Sequence, residues 1–188
     1  MIKGEEILND FKKEKEMPKE VIEKYKGQVP DEVIEIWKNY GLGSFLNGYL
    51  RVINPDDYKE LVEETYFRGK ESIPLFTTAF ADVITWQENE YIGIVLYKLE
   101  DFEIMASGMD FFFSDIYTEK NFTDKYFDLK LYEKAVKKYG ELEYNQSFCF
   151  VPLLGLGGKK SVDNLDKGDT LTHIYLITEL VGKVGIDD

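Results

Sequence analysis

Between residues 75 and 106 the hydrophobic pattern of this chain changes period, and no other feature of the sequence limits the fold as much. Residues 75–80, 82–86, 91–97 and 102–106 are short runs rich in β-branched and aromatic side chains, as are residues 49–53 before them. Glu88-Asn89-Glu90 and Leu99-Glu100-Asp101 are turn signals that separate the last three runs, which therefore read as an antiparallel meander.

On both sides of this stretch the spacing is that of helices. Ile7, Leu8 and Phe11 stand at i, i+1 and i+4 and predict a short amphipathic helix over residues 5–13. Pro18 opens a second turn with Val21, Ile22 and Tyr25 inward, ended by Gly27. Val33, Ile34, Trp37 and Tyr40 form one stripe of a helix from Pro30 to Asn39, stopped by Gly41 and Gly43. In Asn54-Pro55-Asp56-Asp57 an N-cap, a proline at N1 and acids facing the positive dipole end all agree on a helix start. Its stripe is Tyr58, Leu61, Val62, Thr65 and Tyr66. Helical spacing returns over 109–117 and 129–139, the latter with Leu129, Tyr132, Ala135, Val136 and Tyr139 on one face and Gly140 as stop. Residues 148–151 predict a last strand. Asp169 then caps a C-terminal helix with Leu171, Ile174, Ile177, Leu180 and Val181 inward. There is no internal repeat, low-complexity linker or sharp boundary. The expectation is one compact α+β domain over residues 1–188, a single antiparallel sheet flanked by helices.

Charge excludes several functions. The chain of 188 residues has 23 Lys and Arg against 36 Asp and Glu, a net charge of −13. Such a chain repels nucleic acid and anionic membranes at long range and attracts basic partners, so no direct nucleic-acid or membrane contact is expected. One Cys and one His fall short of the four ligands of a structural zinc site, and Cys149 has no disulfide partner. No run of 18 apolar residues occurs, and the start of the chain lacks a signal-peptide core, which predicts a cytoplasmic protein.

Candidate chemistry is sparse. His173 lies one position from the apolar stripe of the last helix, and Cys149 sits in the apolar run Ser-Phe-Cys-Phe-Val, so both read as packed side chains, with a Cys149–His173 dyad as the sharper alternative. The run from Leu154 to Ser161 invites a phosphate-loop reading. It fails because Leu153 stands where the first glycine belongs and Lys160 intervenes before Ser161; it reads as a structural turn. The adjacent acids Asp56-Asp57, Glu63-Glu64 and Glu100-Asp101 do not follow the EF-hand spacing. No catalytic residue, metal or cofactor is expected.

The electrostatic anomaly is the stretch 82–119, which holds nine acids and one cation, Lys98, for a net of −8. Its acids interleave with Trp86, Tyr91, Tyr97, Phe102, Phe111, Phe112, Phe113 and Tyr117. Either the aromatics face the core and the acids face water, or the stretch is a protein-binding face in which acids steer a basic partner and aromatics anchor it. Glu88, Glu90, Glu100, Asp101 and Glu103 are the predicted partner-binding residues.

Several of these segments resemble a bacterial family. Val29-Pro30-Asp31-Glu32, Trp37-Lys38-Asn39-Tyr40-Gly41-Leu42-Gly43-Ser44-Phe45, Asn47-Gly48-Tyr49, Asn54-Pro55-Asp56-Asp57-Tyr58 and Thr77-Thr78-Ala79-Phe80-Ala81-Asp82 resemble the GAD-like domain, which usually has Gly where Ala81 stands. Val151-Pro152-Leu153-Leu154-Gly155-Leu156-Gly157-Gly158, Ser161-Val162-Asp163-Asn164-Leu165 and the last helix are similar to the C-terminal part of Tdi-type type VI secretion immunity proteins. The division falls at 1–115 and 116–188. The resemblance implies a SUKH-like fold and an immunity protein that binds and blocks a cognate toxin, often a nuclease; a nuclease carries a basic cleft, and the chain is expected to be a monomer or weak homodimer. It makes Trp37, Gly41, Gly43, Asn54, Pro55, Gly155, Gly157 and Gly158 fold determinants. Two other classes stay open: a non-catalytic regulatory or scaffold module, for which only Lys12, Lys13, Lys15 and Lys19 offer a basic patch, and an enzyme acting through carboxylates and Cys149.

Overall fold

A computed structural model of the chain describes residues 6–185. In chain order the elements are β1 (Lys12–Lys15), α1 (Lys19–Tyr25), α2 (Asp31–Asn39), β2 (Leu42–Phe45), β3 (Leu50–Val52), α3 (Pro55–Thr65), β4 (Ser72–Thr78), β5 (Val83–Gln87), β6 (Tyr91–Leu96) and β7 (Asp101–Ser107). They continue with α4 (Met109–Thr118), α5 (Lys120–Tyr126), α6 (Leu129–Tyr139), β8 (Gln146–Phe150), β9 (Leu165–Asp169) and α7 (Thr170–Val181). Strands β1 to β7 form one antiparallel sheet in sequence order, and β8 and β9 form a separate hairpin. The architecture is α+β, with the helices packed on a seven-stranded antiparallel sheet.

Alternation along the central strands divides the interior in two, because successive side chains of a strand point to opposite faces. Ile84, Trp86, Ile92 and Ile94 enter the larger cluster, with Phe112 and Phe113 of α4, Tyr126 of α5 and Tyr132 of α6. Val83 and Val95 enter the smaller one, with Leu61 and Val62 of α3 and Ile174 and Ile177 of α7. The two ends of the chain share these interiors. Phe80 stacks on Phe150 at 5.9 Å, Tyr49 lies 5.1 Å from Phe127, and the Tyr144 hydroxyl donates to the Val52 carbonyl at 2.8 Å.

The capping chemistry read from the sequence is in place. The Asn54 side chain accepts from the Asp56 amide at 3.0 Å at the start of α3, and Asp169 accepts from the Thr172 amide at 2.9 Å at the start of α7. Three expectations are corrected. Glu5, where the first helix was to begin, lies outside the described residues, but residues 6–10 form turns and Lys12–Lys15 is a strand paired with β2. A strand of four exposed, mostly basic residues shows no apolar alternation; the ladder with β2 makes it. Gly43 is not a helix stop but lies inside β2. A side chain there would collide with the Lys12 carbonyl and the Phe11 ring, so only glycine lets β1 approach. Leu180 of α7, expected to face inward, is 52% exposed, while His173, off the expected stripe, is buried.

Candidate partner-binding surface

The stretch 82–119 spans β5, β6, β7 and α4, and two turns decide where its acids go. Glu88 and Asn89 both have positive φ (54° and 56°), the central residues of a tight turn closed by the Glu90 amide donating to the Gln87 carbonyl at 3.1 Å, within a three-residue connection between β5 and β6. At the other end of β6, Tyr97–Leu99 forms a short 3-10 turn and Glu100 takes the left-handed conformation (φ 55°) before β7 begins at Asp101. Glu88 and Glu90 therefore lie at one end of β6, Glu100 and Asp101 at the other. The six residues of β6 separate them by roughly 20 Å at ~3.3 Å per residue.

The structure thus brings Glu88 together with Glu90, and Glu100 with Asp101, but does not bring the two pairs together. Glu103 lies between them on β7, opposite Ile94, with its carboxylate turned to Lys125 and to the Tyr126 hydroxyl at 3.4 Å. Glu88 pairs with Arg68. Glu90, Glu100 and Asp101 are exposed and have no ion pair among the described residues, and the Asp101 carboxylate accepts from the Phe102 amide at 2.8 Å.

Asp82 is not a surface acid. It is fully buried, and Lys98 donates to it from the turn after β6. The fold bends the chain there through Thr78, whose hydroxyl accepts from the amides of Phe80 and Asp82 at 3.2 Å, and through Ala81, buried with φ +61°. This left-handed backbone is the reason a glycine suits the position. The single cation of the stretch is consumed internally, so its other eight acids meet no cation from within the stretch.

The aromatics divide. Trp86, Tyr97, Phe112 and Phe113 are core residues. Phe102 is half-buried on the α3 side of β7, its ring 5.6 Å from that of Tyr66 and 4.9 Å from that of Phe67. Phe67 is 48% exposed and Ile104, two residues along β7 from Phe102, is 43% exposed. Phe67, Phe102 and Ile104 make an apolar strip along the end of the sheet, between the two acidic pairs. Sequence reasoning did not single out Phe67 or Ile104. The available signal was that Phe67 follows the last residue of the α3 stripe, and that Ile104 belongs to a run with no strand predicted beyond it. Phe111 and Tyr117 of α4 are exposed apart from this strip.

The residues examined for chemistry are accounted for by packing. Burial and the nearby Asp166 and Asp169 push the Cys149 thiol up to about 12, and burial lowers His173 to about 4, so at neutral pH neither a thiolate nor an imidazolium is formed. His173 borders a cavity of only about 10 Å³ with Glu100 and Gly155, room for one water at most. The glycine-rich run is a turn: Gly157 has φ +85°, Gly158 packs on the Pro152 carbonyl, and Lys160 pairs with Asp128 at 2.7 Å. Asp56 is held by Lys24 at 2.5 Å and by the Tyr25 hydroxyl at 2.7 Å. Among the described residues no group of three or more His, Cys, Asp or Glu is placed to hold a metal ion, and no helix is long and apolar enough to cross a membrane.

Residues 4–98 match the family model of the GAD-like domain, and residues 106–181 match that of the T6SS immunity protein Tdi1, C-terminal. No curated protein matches the chain. Among solved structures it is similar to the crystal structure of Atu4351 from Agrobacterium tumefaciens, with a TM-score of 0.71 and 18% identity over 92% of this chain and 86% of that one, which establishes a shared fold.

Proposed function

The chain belongs to the GAD-like domain family, and from that premise, joined to its Tdi1-type C-terminal segment, we propose that it is a type VI secretion immunity protein that binds a cognate toxin and blocks it. The observation that carries this reading is the match of residues 106–181 to an immunity-protein family. Its work is binding rather than catalysis, consistent with a buried, protonated Cys149 and a neutral His173.

The toxin in this proposal is a nuclease. Such an enzyme needs a basic cleft for its substrate, and a chain of net charge −13 is attracted to that cleft as the substrate is. The contact surface is the β7 end of the sheet. Glu90, Glu100 and Asp101, without cation partners among the described residues, supply the attraction, with Glu88 and Glu103 beside them held by Arg68 and Lys125. Phe67, Phe102 and Ile104 supply the apolar anchor between them, the arrangement of a desolvated centre with a charged rim. An immunity protein must act at low concentration, so the affinity is expected to be nanomolar or tighter, about −12 kcal/mol or beyond.

The test is co-expression with the toxin domain encoded beside it, reading cell survival and, on purified proteins, a 1:1 complex by size-exclusion chromatography across a salt series. Survival with a salt-sensitive complex supports the reading. A neighbouring gene unrelated to toxins, with neither complex nor protection, replaces it with a non-catalytic regulatory module.

A further inference from the structure

We propose that the free edge of β7 is a docking strand, which takes an extended segment of basic and apolar residues from the toxin by adding it to the sheet; this rests on the immunity reading above. The sheet ends at β7, and among the described residues no backbone group of residues 102–106 bonds to an element beyond it. The Phe102 amide donates to the Asp101 carboxylate at 2.8 Å, the bond of an amide turned away from β6, and an added strand would take that bond over. Alternation gives Ile104 the same outward orientation. An unpaired strand edge is a template for another strand, and proteins ordinarily blunt it with lysine, proline or cover. The opposite edge follows that rule: β1 is Lys-Lys-Glu-Lys, all four exposed. β7 carries no lysine or proline; its bulge, where the register with β6 shifts between Ile92 and Gly93, limits the regular edge to residues 101–104, where Ile104 is exposed beside Phe102 and Phe67.

Charge selects the occupant. A second copy pairing β7 with β7 in antiparallel register would set Glu100 and Asp101 of one copy toward Glu88 and Glu90 of the other, acid against acid. A second copy offering β1 brings Lys12 and Lys13 already paired with Glu141 (3.0 Å) and Glu16, and an acid, Glu14, in the same strand, which leaves Lys15 alone without an ion pair among the described residues. A segment of another protein that alternates basic and apolar residues meets acids at both ends of β7 and an apolar strip between them. Backbone pairing then provides affinity, and the alternating side chains provide specificity.

The experiment uses the whole chain, isotope-labelled, and a ten-residue peptide alternating Lys with Val and Thr, with the same peptide carrying Glu for Lys as the control. Binding that moves the amide signals of Phe102 and Ile104, slows their hydrogen exchange and is at least tenfold weaker for the Glu peptide supports the proposal. The variant Ile104→Pro removes an outward amide and should weaken peptide binding at least tenfold. Ile104→Lys keeps the amide, repels the peptide by charge and serves where the proline variant fails to fold. No binding, binding with signals confined to the loop acids, binding unchanged in both variants, or self-association that protects the β7 amides would each overturn strand addition. If the peptide binds at β7 but a folded Ile104→Pro still protects against the toxin, the edge is not the toxin's site and the immunity reading stands. If the unaltered chain gives no protection, the immunity reading fails by itself.

Discussion

Lys98 donates to Asp82 where neither side chain reaches water, their side chains being 3% and 0% exposed. Burial pushes the Asp82 carboxyl up, against the pull of the adjacent ammonium, and the second carboxylate oxygen has no hydrogen-bond partner. A buried ion pair contributes little net stability, but removing one member leaves the other charge stranded. Lys98→Met should therefore cost about 3–5 kcal/mol in urea denaturation. The double variant with Asp82→Leu should recover most of that loss. Equal losses in the single and double variants would mean that the two residues do not act as a pair.

His173 makes stability depend on pH. Its folded pKa of about 4 lies below the 6.5 of the unfolded chain, because burial disfavours the imidazolium. Between these values the unfolded chain binds a proton that the folded chain refuses. Stability should thus fall as pH drops from 6.5 to 4, by about 3 kcal/mol at ~1.4 kcal/mol per unit. His173→Gln should lose this part of the pH dependence. As the chain has one histidine, its ring proton signals give a direct titration, and a midpoint near 6.5 would contradict the buried state.

The five acids should not be equivalent. Reversal of Glu90, Glu100 and Asp101 to Lys removes charges that have no cation partner among the described residues and should slow association with the toxin about tenfold or more at low salt. Glu103→Lys also disrupts the contacts to Lys125 and Tyr126, so its effect should appear in thermal stability, with association changed by less than about threefold. Stopped-flow association rates across a salt series distinguish the two.

The two family-matched segments should not fold apart. The Phe148 amide donates to the Ala79 carbonyl at 2.7 Å, the Tyr132 hydroxyl to the Asn47 carbonyl at 2.7 Å, and Phe80 stacks on Phe150. Residues 1–98 and 99–188 expressed separately should each lack a cooperative unfolding transition, and mixing them should restore one. Two independent transitions would show two domains.

The parts of the fold legible in the sequence were those where local chemistry and tertiary packing agree. Asn54-Pro55 and Asp169 cap helices, the stripe of α3 is buried as spaced, and β5, β6 and β7 begin and end within a residue or two of the expected runs. What stayed hidden was determined by partners distant in the chain. Ile7, Leu8 and Phe11 satisfy helical spacing, yet their chain turns, and β1 exists because β2 pairs with it. β9, Leu-Asp-Lys-Gly-Asp, has no apolar alternation and is a strand only through β8, while α5 has just seven residues. The acids of 82–119 were identifiable as an excess of charge. Their separation into two ends follows from the hairpin register, and the burial of Lys98 on Asp82 from a bend at Ala81, neither of which a charge count contains.

The unlike margins of the sheet bear on stoichiometry. One margin is a short row of exposed lysines and a glutamate, the other an open strand bracketed by acids. With strand addition confined to the second, each chain offers a single open edge and would accept one guest. Under the proposed reading the expected complex therefore holds one guest per chain.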